Sequence, residues 1–159
     1  VHIESARDML AACLRALPGD IAVCAAAVAD WRPAAAGERK IKKTEGAPPH
    51  GLELVENPDI LRSLSEAGNR RPALVVGFAA ETDDVVGNAT AKRARKGCDW
   101  ILANDVSPAT GTFGGELNTV HLVTGGGVES WPEMKKTDVA ARLAERIAAH
   151  FASAPEAAE

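Results

Sequence analysis

The chain has 159 residues, enough for one domain with a sizeable core and too few for two. Hydrophobic residues make up 46% and charged residues 25%, an ordinary globular mix that excludes disorder, collagen-like repeats and coiled coils. With 18 Lys and Arg against 22 Asp and Glu, the net charge of −4 disfavours nucleic acid and acidic membrane as partners.

No apolar run approaches the roughly 20 residues that span a bilayer, and the N-terminus has no basic region leading into an apolar one. Cys13, Cys24 and Cys98 are odd in number and lack a C-x-x-C spacing, which fits small buried thiols kept reduced in a cytoplasm.

In chain order, Val1 to Ile3 reads as a short strand. Ser5-x-x-Asp8 then opens a helix to about Leu17, with Met9, Leu10, Cys13 and Leu14 on one face. Ile21 to Ala29 is almost wholly apolar, as expected of a strand covered on both faces, although its alanines also suit a buried helix. A second helix starts at Asn57 as cap with Pro58 first inside, turns Ile60, Leu61 and Leu64 to the core, and stops at Gly68. Leu74 to Phe78 reads as strand, Asp84 to Lys96 as helix closed by Gly97, and Asp99 to Ala103 as strand. This alternation predicts a doubly wound, mainly parallel α/β sheet with helices on both faces. Thr119 to Val123 and Val128 to Trp131 then flank Gly125-Gly126-Gly127 as a β-hairpin, before a last helix from Thr137 to Phe151 and a frayed tail over 152–159.

The segment from Trp31 to Glu56 fits no element. It carries Pro33, Pro48 and Pro49 and the basic run Arg39-Lys40-Ile41-Lys42-Lys43, so it reads as a functional or mobile stretch inside a compact domain.

Ligands of open α/β sheets bind beyond the carboxyl ends of the strands. The expected strand ends deliver Asp30, Thr82 and Asn104-Asp105; each alone also serves as a turn or cap residue, but jointly they point to a site. Two basic clusters could receive phosphate, namely Lys40, Lys42 and Lys43, and the helix-borne Lys92, Arg93, Arg95 and Lys96. Lys92 and Lys96 share a helical face, though cations also suit a helix C-terminus and the first run also suits a solvated surface. The helix start at Asn57-Pro58-Asp59-Ile60 offers free N–H groups to an anion, which Asp59 opposes unless a cation intervenes. No G-x-G-x-x-G opens a helix, no G-x-x-x-x-G-K-[ST] is present, the four histidines lack metal spacing, and no G-x-S-x-G occurs.

A set of segments in one order carries a specific resemblance. They are Ala25-Ala26-Ala27-Val28-Ala29-Asp30-Trp31, Lys40-Ile41-Lys42-Lys43, Asn57-Pro58-Asp59-Ile60-Leu61, Val76-Gly77-Phe78-Ala79-Ala80-Glu81-Thr82, Lys92-x-x-x-Lys96 with Asp99, Ala103-Asn104-Asp105-Val106, and Phe113 with Asn118. The chain resembles the phosphopantothenate–cysteine ligases, the ligase part of bacterial bifunctional coenzyme A biosynthesis proteins, over nearly its whole length to about Phe151. That resemblance implies a Rossmann-like fold and a cytosolic homodimer using CTP and Mg2+, with 4′-phosphopantothenate and cysteine as the partners to be joined. It places Ala26, Asp30, Lys40, Pro58, Asp59, Ile60, Leu61, Phe78, Lys92 and Lys96 at the CTP, with Lys40 catalytic and Asp30 toward the metal. It also implies a fused flavin-dependent decarboxylase domain elsewhere in the protein, so no FMN is expected on this chain. The family's Gly/Ser-rich phosphate loop and an asparagine acting on the acyl-cytidylate precede the first residue here, so the expectation is a CTP-binding part, inactive alone, spanning residues 1–151 with 31–56 as flap or dimer arm. The competing expectation is a noncatalytic nucleotide-binding or dimerisation module.

Overall fold

A computed structural model describes residues 1–35, 51–107, 110 and 115–153. Helix α1 (Ala6–Ala16) begins with the predicted box: the Ser5 hydroxyl accepts from the Asp8 N–H while the Asp8 carboxylate accepts from the Ser5 N–H. Val1 to Ile3 forms no strand. After α1 come β1 (Ile21–Cys24), β2 (Trp31–Pro33), β3 (Leu54–Glu56) and the short helix α2 (Ile60–Ser65). They are followed by β4 (Leu74–Glu81), α3 (Val85–Lys96) and β5 (Trp100–Asp105). The chain closes with β6 (Leu117–Asn118), β7 (Val120–Thr124), β8 (Gly127–Ser130), β9 (Met134–Lys135) and α4 (Lys136–Ala152).

The central sheet has the order β1-β4-β5-β7-β8. β1, β4 and β5 run parallel, while β5–β7 and β7–β8 pair antiparallel, the latter as the expected hairpin. β4 is the strand that the apolar run Leu74 to Phe78 predicted, and its residues alternate between two packed layers. Leu74 and Val76 join Trp100, Leu102, Leu122 and Trp131 beneath Val139 and Leu143 of α4. Val75 and Ala79 join Ile101, Ala103 and Val123 on the opposite face, beneath Ala89 of α3 and Leu61 of α2. The result is an α/β sheet with helices on both faces.

β1 departs from its expectation. It ends at Cys24 rather than Ala29, and as an edge strand it leaves Ile21 43% and Val23 46% exposed. An unbroken apolar run states that a strand wants cover; it does not state how far a neighbour runs beside it. Beyond Cys24 the chain leaves the sheet and returns as β2, which pairs antiparallel with β3 in a two-stranded ribbon. That ribbon forms the base of the segment Trp31 to Glu56. Residues 36–50, Lys40, Lys42 and Lys43 among them, lie outside the described residues, as do Phe113 and the tail 154–159.

Helix α3 has the predicted ends. Asp84 accepts from the Gly87 N–H at its start, and Gly97 closes it at φ 66°, a left-handed turn that favours glycine. Helix α2 is shorter than expected and capped by Asp59, whose carboxylate accepts from the Arg62 N–H, so Asn57 is not the cap and Pro58 lies outside the helix.

Candidate functional site

A cleft of about 660 Å³ opens where the carboxyl end of β1 diverges from β4. One wall is the loop Ala25–Asp30 with Trp31 behind it, and the facing wall is the turn from Glu56 through Pro58 into Ile60 and Leu61. Phe78 of β4 and Lys92 and Lys96 of α3 complete it, with Met9 and Cys13 of α1 against the side. Its size suits a nucleotide or a similar small molecule.

Every described position that the resemblance assigns to CTP lines this one cleft: Ala26, Asp30, Pro58, Asp59, Ile60, Leu61, Phe78, Lys92 and Lys96. They come from four separate stretches of chain. Lys40 lies outside the described residues.

Charge in the cleft is arranged around α3. Lys92 and Lys96 stand one helical turn apart, and the Lys96 ammonium donates to Asp59 Oδ2 across the cleft floor. Burial pushes the Asp59 carboxyl up, but the Lys96 ammonium and the Arg62 N–H outweigh it and hold it below its ordinary range. The cation that Asp59 calls for is therefore Lys96. Lys92 has no ion-pair partner among the described residues, which leaves its charge available to an anion. The Asp30 carboxylate is likewise without a side-chain partner among the described residues and faces the same space.

Cys24 also lines the cleft, and burial together with the neighbouring thiols and Asp59 pushes its thiol up to about 11. A thiol held that high stays protonated near neutrality, so Cys24 is an apolar lining group rather than a nucleophile.

The strand-end expectation holds only in part. Asp30 reaches the cleft, although from a loop rather than a strand end; Thr82 and Asp105 do not line it. Thr82 donates to Asp83, and Asp105 accepts from the Ser107 N–H at 2.7 Å, so both serve the turns in which they sit. Sequence reasoning also missed lining residues. Met9 and Cys13 belong to the shared apolar face of α1, and no local pattern separates an apolar helix residue facing a cleft from one facing a core. Trp31 was visible as an aromatic beside Asp30; it is 54% exposed, whereas Trp100 and Trp131 are buried.

The chain is 36% identical over 148 residues to the coenzyme A biosynthesis bifunctional protein CoaBC of Vibrio vulnificus, covering 92% of this chain and 37% of that protein. It is 38% identical over 151 residues to CoaBC of Bacillus subtilis, covering 94% of this chain and 36% of that protein. The chain thus spans a little over a third of the relatives it matches. A crystal structure of the C-terminal domain of CoaBC superposes with a TM-score of 0.71 at 31% identity, covering 95% of this chain and 67% of that one. Residues 1–151 match the family described as DNA/pantothenate metabolism flavoprotein C-terminal domain, and the chain belongs to that family, the one that supplies the C-terminal part of the bifunctional coenzyme A biosynthesis proteins.

Proposed function

We propose that the cleft binds CTP and that the chain is the nucleotide-binding part of a phosphopantothenate–cysteine ligase. The observation that carries this reading is the gathering of Ala26, Asp30, Pro58–Leu61, Phe78, Lys92 and Lys96 around one cleft of nucleotide size. In this reading the pyrimidine lies between the alanine loop and the turn at Pro58, where small side chains let a flat ring approach the backbone. Phe78 supplies an aromatic surface beneath it. Lys92 and Lys96 offset the charge of the triphosphate.

The chemistry is acyl activation. The 4′-phosphopantothenate carboxylate attacks the α-phosphorus of CTP, an O–P bond forms as pyrophosphate departs, and the cysteine amine then displaces CMP to leave an amide. Lys40 is the ammonium that approaches the α-phosphate as negative charge develops there. Bound Mg2+ supplies charge neutralisation along the phosphates. The residues present suit it, because Mg2+ keeps most of its waters and takes phosphate oxygens with one or two carboxylates, and Asp30 offers one such carboxylate. A cytosolic homodimer, with residues 31–56 as flap or dimer arm and a flavin-dependent decarboxylase domain fused in the full-length protein, belongs to the same reading. No helix among the described residues is long and apolar enough to cross a membrane.

Calorimetric titration of this chain with each nucleoside triphosphate tests the reading. CTP should bind at least roughly tenfold more tightly than ATP, the discrimination of one or two well-placed hydrogen bonds. Equal affinities would remove the claim of a cytosine site.

A further inference from the structure

The loop from Ala26 to Asp30 brings almost no side-chain chemistry of its own to the cleft. Three alanines and a valine precede Asp30, all five residues are exposed, and the register of β1 with β4 stops at Cys24. Nothing in such a sequence fixes its backbone. Freedom left in it would have to be removed by the ligand on binding, at a cost in affinity.

Asn57, on the facing wall, holds it. The Asn57 backbone N–H donates to the Asp30 carbonyl at 2.7 Å, and its side-chain Nδ2 donates to the Ala29 carbonyl at 2.8 Å. The Arg32 guanidinium donates to Asn57 Oδ1 at 3.4 Å and to the Glu56 carbonyl, so the amide is turned with Nδ2 toward the loop. Outside the strand ladders, these two bonds to Asn57 are the ones that tether Ala26–Asp30 among the described residues. The next residue is Pro58, then Asp59, which caps α2 and engages Lys96. One residue therefore fastens the alanine wall to the wall that carries the rest of the cleft, by one backbone and one side-chain bond.

We propose that Asn57 is a positioning residue that sets the width of the nucleotide cleft by latching the Ala26–Asp30 loop to the start of α2. It acts through the loop backbone: although Asn57 borders the cleft, its amide is engaged by the Ala29 carbonyl and the Arg32 guanidinium. The inference rests on the nucleotide reading given above. It goes beyond that reading in assigning a role to a residue whose sequence signal, Asn before Pro, suggested only a helix cap.

The test uses Asn57→Ala, which deletes the side-chain donor, and Asn57→Asp, which is nearly isosteric but turns an acceptor toward the Ala29 carbonyl. CTP affinity and amide exchange over 26–30 are measured in the full-length protein, with Thr124→Ala at the β7–β8 turn as control. Both Asn57 variants should bind CTP roughly tenfold more weakly, the aspartate at least as weakly as the alanine, and both should exchange faster over 26–30 before nucleotide is added. Thr124→Ala should do neither. The carboxylate of Asn57→Asp also repels the triphosphate by its charge, so the deciding readout for that variant is exchange: a purely space-filling role predicts unchanged exchange over 26–30 with the isosteric aspartate. That result would overturn the latch, as would wild-type CTP affinity or unchanged exchange in Asn57→Ala. A wild-type protein that binds no CTP overturns the nucleotide reading itself, and the inference with it.

Discussion

Lys92 and Lys96 are the same residue type on the same helical face, yet their surroundings make them unequal. Lys96 is already paired with Asp59, whereas Lys92 is unpaired among the described residues. Removing Lys92 takes one cation from the cleft. Removing Lys96 takes one cation and also strips Asp59 of its partner, leaving a carboxylate that repels the triphosphate. Lys96→Gln should therefore weaken CTP more than Lys92→Gln, with losses on the order of ten- to a hundredfold for charge-assisted contacts. Adding Asp59→Asn to Lys96→Gln should recover part of the loss, because asparagine remains a good helix cap while carrying no charge. Titration of the two single variants and the double variant checks this as a mutant cycle. If Asp59→Asn gives no recovery, the pair is structural and Asp59 does not govern the cleft's charge.

At the scale of elements, the cleft wall formed by α2 depends on how closely that helix lies on β4. The contact is set by Gly77: a Cβ there would meet Leu61 Cδ2 at 2.5 Å and Ile101 Cδ1 at 2.9 Å. Ile101 is fully buried and has less room to move than Leu61, which is half-buried and lines the cleft. A side chain at position 77 would accordingly turn Leu61 toward the nucleotide space and lift α2. Gly77→Ala should cost about 1–3 kcal/mol of stability, the usual range for overpacking, and should also weaken CTP binding. Urea unfolding beside titration separates the two effects. Lost stability with unchanged affinity would mean that α2 moves as a unit without disturbing its cleft edge. The β2–β3 ribbon is an element of a different kind: with Trp31 and Leu54 exposed, it has little packing of its own and is joined to the cleft through Arg32 and Asn57.

For the whole molecule, what the sequence made legible was what adjacent residues decide. Asp84 and Gly97 delimit α3 because a cap and a left-handed closure are local events, and the unbroken run Leu74 to Phe78 located the doubly covered strand because burial on both faces removes polar alternation. Pairings between distant short segments were not legible: β2 with β3 and β6 with β9 span only two or three residues each and carry no periodic signal. The resemblance marked the cleft residues, while the latch at Asn57 and the bridge from Lys96 to Asp59 appear only once the walls are brought together. A similar long-range tie joins the C-terminal hairpin to α4. Glu129 of β8 accepts from Trp131 Nε1 and Arg142, each at 2.9 Å, and pairs with Arg146 at 3.1 Å. Its modest burial pushes the carboxyl up, but the Arg142 and Trp131 bonds and the Arg146 charge prevail and hold it below its ordinary value of 4.5. The unfolded chain thus binds the Glu129 proton more readily than the folded one does. This contribution to stability is therefore complete above about pH 4.5 and is lost as the pH falls through the lowered folded value. Because the Glu129 side chain is 37% exposed, solvent screens the pairs and the contribution should be about 1 kcal/mol or less. Glu129→Gln should lower the urea midpoint near neutral pH, and the gap from wild type should shrink as the pH is taken from about 5 to about 3. A gap that stays constant across that range would mean that Glu129 holds the hairpin by packing and neutral hydrogen bonds, with its charge contributing nothing.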